Sequence, residues 1–206
     1  MRNVLPFLVS ATIPLATLPL AVLLTPLPAL AQDKPLGAPV QTLDKTDRQR
    51  IDELFVELKK APNDKAAGRV ASRLVERMNN SGSASVDLMM SWAQKAMTEE
   101  KWDVALDFLD QVTTLKPDYA EGWNRRATVH FLMHNFAKSM ADIQRTLELE
   151  PRHFGALAGM AQILKTRGDK QSALSAYSRV LDVYPMLRDA QNEVSTLSEE
   201  LAGEAI

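Results

Sequence analysis

Three prolines, Pro117, Pro151 and Pro185, stand 34 residues apart. Each closes a stretch that can be laid over the next, without insertion, as a pair of amphipathic helices. No other feature constrains the chain so strongly. One such pair has too little apolar face to bury by itself, so a chain that repeats it must fold by stacking units around a shared interior.

The first unit, 86–119, places Ala93, Trp102, Ala105, Leu109 and Pro117 where the second, 120–153, places Ala127, Phe136, Ser139, Ile143 and Pro151. The third, 154–187, has Ala161, Lys170, Ala173, Tyr177 and Pro185 at these positions. The small pairs Ala93/Ala105, Ala127/Ser139 and Ala161/Ala173 fall where two helices about 8–10 Å apart leave no room for a long side chain. With Trp123 as a large residue at position 4 of the second unit, residues 86–187 resemble three tetratricopeptide repeats. The resemblance implies an all-α fold, a right-handed superhelical stack of antiparallel helix pairs with capping helices at both ends. Three positions depart from the family pattern: position 7 is Trp92, Arg126 and Met160, position 17 of the third unit is Lys170, and position 27 is Val112, Thr146 and Val180. Arg126 at an inward position demands an anionic or carbonyl partner, or a path for its head to water.

Upstream, Ile51, Leu54, Phe55 and Leu58 make one helical face and Val70, Leu74, Val75 and Met78 a second. One period back, Ala71 and Val75 match Ala105 and Leu109, but Pro62 cuts the first helix short. Residues 44–85 therefore read as a degenerate N-terminal helical cap. Downstream, 188–206 reads as a C-terminal capping helix, with Val194, Leu197 and Leu201 beside Glu193, Glu199 and Glu200.

Residues 1–31 differ in kind: Arg2, an apolar stretch from Val4, and Ala29-Leu30-Ala31 before Gln32. This pattern is expected of a secretory signal peptide cleaved after Ala31, which would place the mature protein in the periplasm. The alternative is an inner-membrane anchor over residues 4–30. Pro6, Pro14, Pro19, Pro26 and Pro28 count against a spanning helix. Residues 32–43, with Pro35, Gly37 and Pro39, are expected to form a flexible tether.

At a formal charge of −2 over 206 residues, the chain lacks the basic excess of a nucleic-acid binder. It contains no cysteine, which excludes disulfides, a thiol nucleophile and thiolate metal sites. His130 and His134 share a helix face but lack further ligands, so no metal site and no cofactor are expected. No G-x-S-x-G, P-loop or H-E-x-x-H pattern occurs, and Glu99-Glu100 and Glu199-Glu200 read as solvated charge.

The resemblance implies that the first helix of each repeat lines a concave groove through positions 2, 5, 9, 12 and 13. Those positions hold Asp87, Met90, Gln94, Met97 and Thr98 in the first repeat, then Glu121, Asn124, Thr128, Phe131 and Leu132, then Gly155, Ala158, Gln162, Lys165 and Thr166. Met90 and Met97 fit groove and core equally. The basic clamp that some family members use on a C-terminal carboxylate is missing, since its positions hold Met90, Gln94, Arg125, Gly155 and Gly159. A basic patch of Arg125, Arg126, Arg145 and Arg152 either receives an anionic partner or pairs with Asp142, Glu148 and Glu150.

The resulting expectation is an exported, non-catalytic interaction module of a Gram-negative envelope that binds a partner peptide or helix in its groove. Self-association through the stacked ends is the structural alternative, and an unrecognised hydrolase the enzymatic one.

Overall fold

The computed structural model describes residues 45–204, so the signal segment, its cleavage site and the tether lie outside the described residues. The described residues form nine α-helices and no strand. These are α1 (Lys45–Lys59), α2 (Asp64–Met78), α3 (Ala84–Thr98), α4 (Trp102–Leu115), α5 (Ala120–Leu132), α6 (Phe136–Leu149), α7 (Phe154–Thr166), α8 (Lys170–Val183) and α9 (Arg188–Glu204). Helices α3–α4, α5–α6 and α7–α8 are the three repeated antiparallel pairs.

The period has a local cause at each turn. Between pairs, the carbonyls of Lys116, Glu150 and Tyr184 accept from the N–H groups of Tyr119, His153 and Leu187 at 3.1–3.2 Å. These are β-turns with Pro117, Pro151 and Pro185 in second place, where the ring's fixed φ suits the turn. Within pairs, the first helix ends each time with a bond that reaches back five residues: Lys101 to Ala96, Asn135 to His130 and Asp169 to Leu164, at 2.8–3.0 Å. This closure needs a left-handed residue just past the helix. Gly168 supplies it in the third repeat (φ 81°), whereas Glu100 (φ 55°) and His134 (φ 58°) adopt the same conformation with a side chain attached.

Ala93, Ala105, Ala127, Ser139, Ala161 and Ala173 are all buried where paired helices cross. The Ser139 hydroxyl donates to the Ala127 carbonyl at 2.8 Å, so its polar atom is satisfied at that crossing. Val112, Thr146 and Val180, larger than the family pattern favours at position 27, are completely buried. The next repeat makes room for them at its third position: a Cβ added to Gly122 would stand 2.7 Å from a Val112 methyl, and the later repeats place only Ala156 and Ala190 there.

The first helical pair does not stack on the front of the array. Val75, expected in register with the fully buried Leu109, is 41% exposed. Instead α1–α2 lies across the turns that join successive repeats. The end of α2 meets the first turn, where the Tyr119 hydroxyl donates to the Asn79 carbonyl at 2.7 Å. The middle of α1 meets the second, with Arg152 on Asp52 at 2.7 Å and over the Phe55 ring at 4.2 Å. The start of α2 meets the third, with Arg188 on Asp64 at 2.9 Å. A 15-residue helix is about 22 Å long, which matches two steps of a stack whose layers lie about 10 Å apart. Leu54, Phe55, Leu58, Val70 and Leu74 bury against Tyr184, Phe154, Met186 and Leu187 in a core separate from that of the first repeat. The cap is thus a strap along one rim.

At the other end, α9 packs on α8 as the first helix of a further repeat would, with Ala190 and Leu197 buried beside Ala176, Tyr177 and Val180. No described helix is long and apolar enough to cross a membrane.

Candidate binding groove

Because α9 continues the row of first helices, α5, α7 and α9 together line a hollow of about 400 Å³. Its floor is apolar, from Ala127, Phe131, Ile143 and Ala156, and its walls carry Asn124, Thr128, Gln162, Tyr177 and Glu193. The hollow stays open because α7 turns Gly155, Ala158 and Gly159 toward it, and none of these brings a long side chain. Phe131 is held by the Phe136 ring at 5.7 Å. The Tyr177 hydroxyl donates to the Gln162 side-chain oxygen at 3.0 Å, which fixes the Gln162 amide at the wall of the hollow. Burial and the charge of Glu193 push the Tyr177 phenol up to about 12, so it remains a donor at neutral pH. Lys165 reaches across to Glu193 with bonds of 2.8 and 2.6 Å and ties α7 to α9.

Asn124, Thr128, Phe131 and Gln162 therefore meet in one site, together with Gly155 and Ala158. The other expected groove residues do not join them. Met90 is buried in the core of the first repeat and Met97 packs against that core, which resolves both in favour of the interior. Gln94 is engaged by Arg125 at 2.7 Å. Leu132 is exposed beyond the hollow, and Lys165 is neutralised by Glu193. Tyr177, read only as a signature position of the third repeat, joins the site from α8, and Asp189, Ala190 and Glu193 line it from α9 without having been read from the repeats. The signal for the α9 residues was the continuation of the period past Pro185, which places Ala190 at the third position of a fourth first-helix.

Glu121 sits at the junction of α5 and α7. It receives Arg125 at 3.1 Å, the Asn124 amide at 3.0 Å and His153 Nε2 at 3.1 Å. His153 caps α7, its Nδ1 accepting from the Ala156 N–H at 3.1 Å, so the ring proton lies on Nε2 and points at Glu121. Burial pushes the Glu121 carboxyl up, but the hydrogen bond from His153 and the bond and charge of Arg125 hold it below the usual carboxylate range.

The four arginines of the expected basic patch are each committed internally. Arg125 spans Glu121, Gln94 and Asn79, and Arg145 holds Glu148 at 3.0 Å. Arg126 forks onto Asp142 at 2.8 and 2.7 Å, with Asp110 at 2.9 Å and the Trp123 ring at 4.7 Å. Arg152 pairs with Glu150 and Asp52. Each guanidinium folds beside a carboxylate of its own or a neighbouring helix, so they form no shared anion site. His130 is buried among α5 and α6 with Nδ1 unbonded, while His134 occupies the turn, so the two do not converge.

A TPR repeat-containing protein of Rhizobium etli is 48% identical over 190 residues, which cover 91% of this chain and 93% of that one. The chain belongs to the tetratricopeptide-repeat family. The small glutamine-rich tetratricopeptide repeat-containing protein 2 of Saccharomyces cerevisiae is 24% identical over 97 residues, 47% of this chain and 28% of the yeast protein. Among solved tetratricopeptide-repeat structures, the first such domain of Spaghetti (RPAP3), bound to an HSP90 peptide, superposes with a TM-score of 0.54 at 22% identity. It covers 57% of this chain and 93% of the domain. The TPR2B domain of yeast Sti1 in complex with pHsp70 gives 0.53 at 18% identity, over 57% of this chain and 99% of the domain. No protein-family model matches the chain.

Proposed function

We propose that this tetratricopeptide-repeat protein is a non-catalytic adaptor of the bacterial cell envelope, holding a segment of a partner protein in the hollow between α5, α7 and α9. The observation that carries the reading is the composition of that hollow. An apolar floor at Phe131 and Ile143 suits one side-chain anchor, and Asn124 and Gln162 offer amides to an extended or helical backbone. Domains of this fold have been solved with an HSP90 peptide and in complex with pHsp70, which supports a protein or peptide ligand. The ligand here differs in charge. Asp189 and Glu193 rim the site and Lys165 is already neutralised, so a neutral or basic segment fits better than an acidic tail. Residues 1–31 support export, because their charge and apolar pattern ends in an A-x-A site.

The test is affinity capture from envelope extract with the wild-type chain and with Thr128→Arg, which fills the hollow from an exposed position without disturbing the core. Loss of the captured partner in the variant, at unchanged helix content, supports the reading. Equal capture by both places binding elsewhere.

A further inference from the structure

The strap turns charge of one sign outward. Between residues 45 and 78, nine basic residues stand against six acidic ones, whereas residues 79–204 hold 13 basic against 18 acidic. Pairing sharpens the imbalance. Asp52 and Asp64 are spent on Arg152 and Arg188 of the stack, and Asp47, Glu53 and Glu57 on Arg77, Arg50 and Arg73 of the strap itself. Among the described residues, Glu76 is then the one strap carboxylate left unpaired, against Arg48, Lys59, Lys60, Lys65 and Arg69, which are exposed and form no ion pair. Four of these cations stand where α1 turns into α2. Lys60 and Arg69 line a shallow hollow of about 740 Å³ together with Ala61, Pro62, Ala66 and Val70. Lys65 lies one helical turn before Arg69, in the first turn of α2, where the helix dipole disfavours a cation, so the stability of α2 does not account for it. Val56, 53% exposed, shares the outward face of α1 with Lys60 four residues on.

We propose that this outer face of the strap docks on an anionic lipid bilayer, with Lys59, Lys60, Lys65 and Arg69 set against the headgroup phosphates. Charge complementarity selects an anionic surface, and the acidic excess of residues 79–204 favours an approach with the strap foremost. Three observations select a bilayer over an acidic protein segment. The four cations are spread over the facing ends of two helices, and each long side chain is held by no partner, which suits a surface of many mobile charges better than a fork onto one carboxylate. An exposed valine beside them and an open hollow with apolar lining supply the contact that lipid at headgroup level offers. The strap is also the first helical pair after the apolar stretch 4–30, with 14 residues between that stretch and the start of α1.

The docking is independent of what the α5–α7–α9 hollow binds. It is tested by flotation of the full chain with vesicles of phosphatidylcholine alone and of phosphatidylcholine with about one-third phosphatidylglycerol. Lys65→Gln/Arg69→Gln is compared with Lys138→Gln/Arg179→Gln, which removes the same charge from exposed, unpaired positions of the stack, and circular dichroism checks folding. Wild type and the stack variant should bind the anionic vesicles alike. The strap variant should bind about twenty-five-fold more weakly, at about fivefold per cation, and about 0.5 M salt should release all three. Equal binding to both kinds of vesicle, as the apolar stretch 4–30 would cause, overturns the proposal. Equal weakening by the two variants assigns the effect to net charge and overturns it too, as does the absence of binding to either vesicle. Capture of a fluorescein-labelled glutamate decapeptide, lost in the strap variant, by a chain that leaves the anionic vesicles unbound would give the face to an acidic protein segment instead.

Discussion

Arg126 grips Asp142 in a two-bond fork, Nε to Oδ2 at 2.8 Å and Nη2 to Oδ1 at 2.7 Å, at a place where the neighbouring repeats use apolar pairs. The equivalent pair is Trp92 with Phe108 in the first repeat, rings 5.4 Å apart, and Met160 with Ala176 in the third. One geometric slot is filled by three chemistries. The ion pair works because both partners are mostly shielded, Arg126 retains Asp110 and Thr113 for its remaining donors, and the fork satisfies both carboxylate oxygens.

Arg126→Met alone strands a buried carboxylate and should cost about 3 kcal/mol, while Asp142→Ala alone, which leaves Arg126 with Asp110, should cost about 2 kcal/mol. The double substitution installs the third repeat's own pair and should return to within about 1 kcal/mol of wild type. Urea denaturation of the four proteins checks this. Additive losses would show that the slot cannot be exchanged between repeats.

Glu100→Gly and His134→Gly should each raise stability by about 0.5–1 kcal/mol, because both residues hold a left-handed conformation that disfavours a Cβ and that Gly168 adopts freely. Thermal melts read the gain. Unchanged or lower melting temperatures in both would mean that contacts such as the His134–Phe136 edge contact outweigh the backbone term.

The depressed Glu121 carboxyl links folding to acid pH. Its folded pKa lies below the unfolded value near about 4.3. Its contribution is therefore fully present above that value and is lost as pH falls through the folded pKa. Glu121→Gln should cost about 2 kcal/mol at neutral pH and flatten the acid limb of stability against pH. An identical acid limb in wild type and variant would assign that limb to other carboxylates.

Leu58→Ala removes a completely buried side chain from the strap core and should cost about 2–5 kcal/mol. Hydrogen exchange should localise the loss. Amides of α1 and α2 should lose protection before those of α5 and α6, since the strap's core is separate from that of the central repeats. Uniform loss across all helices would show the strap and the stack to be one cooperative unit.

The three repeats were legible because short-range chemistry repeats with them: a proline closing each unit and small residues at each crossing. The left-handed closure at each first-helix end was not, because Glu100 and His134 stand where only the third repeat has a glycine. Arg126 announced its need for a partner, and Asp142 was among the acids near enough in register to supply it. Asn124, Thr128, Phe131 and Gln162 were placed in the groove from register alone. Met90 and Met97 were not separable from core by periodicity, because an apolar residue seven positions from another satisfies both faces. Tyr177 and Glu193 were missed because they enter the site from α8 and α9, outside the row of first helices read from the three repeats.

The sequence alone determined the stack, since each unit's apolar face can be buried only by a copy of itself one period away. The tertiary structure decided where the unmatched helices went. The pattern in α1–α2 specifies a buried face but not which surface buries it, and ion pairs 100 and 124 residues apart along the chain, Arg152 to Asp52 and Arg188 to Asp64, direct it to the turn edge. That choice closes one rim, leaves α3–α4 uncovered, and lets α9 complete the groove.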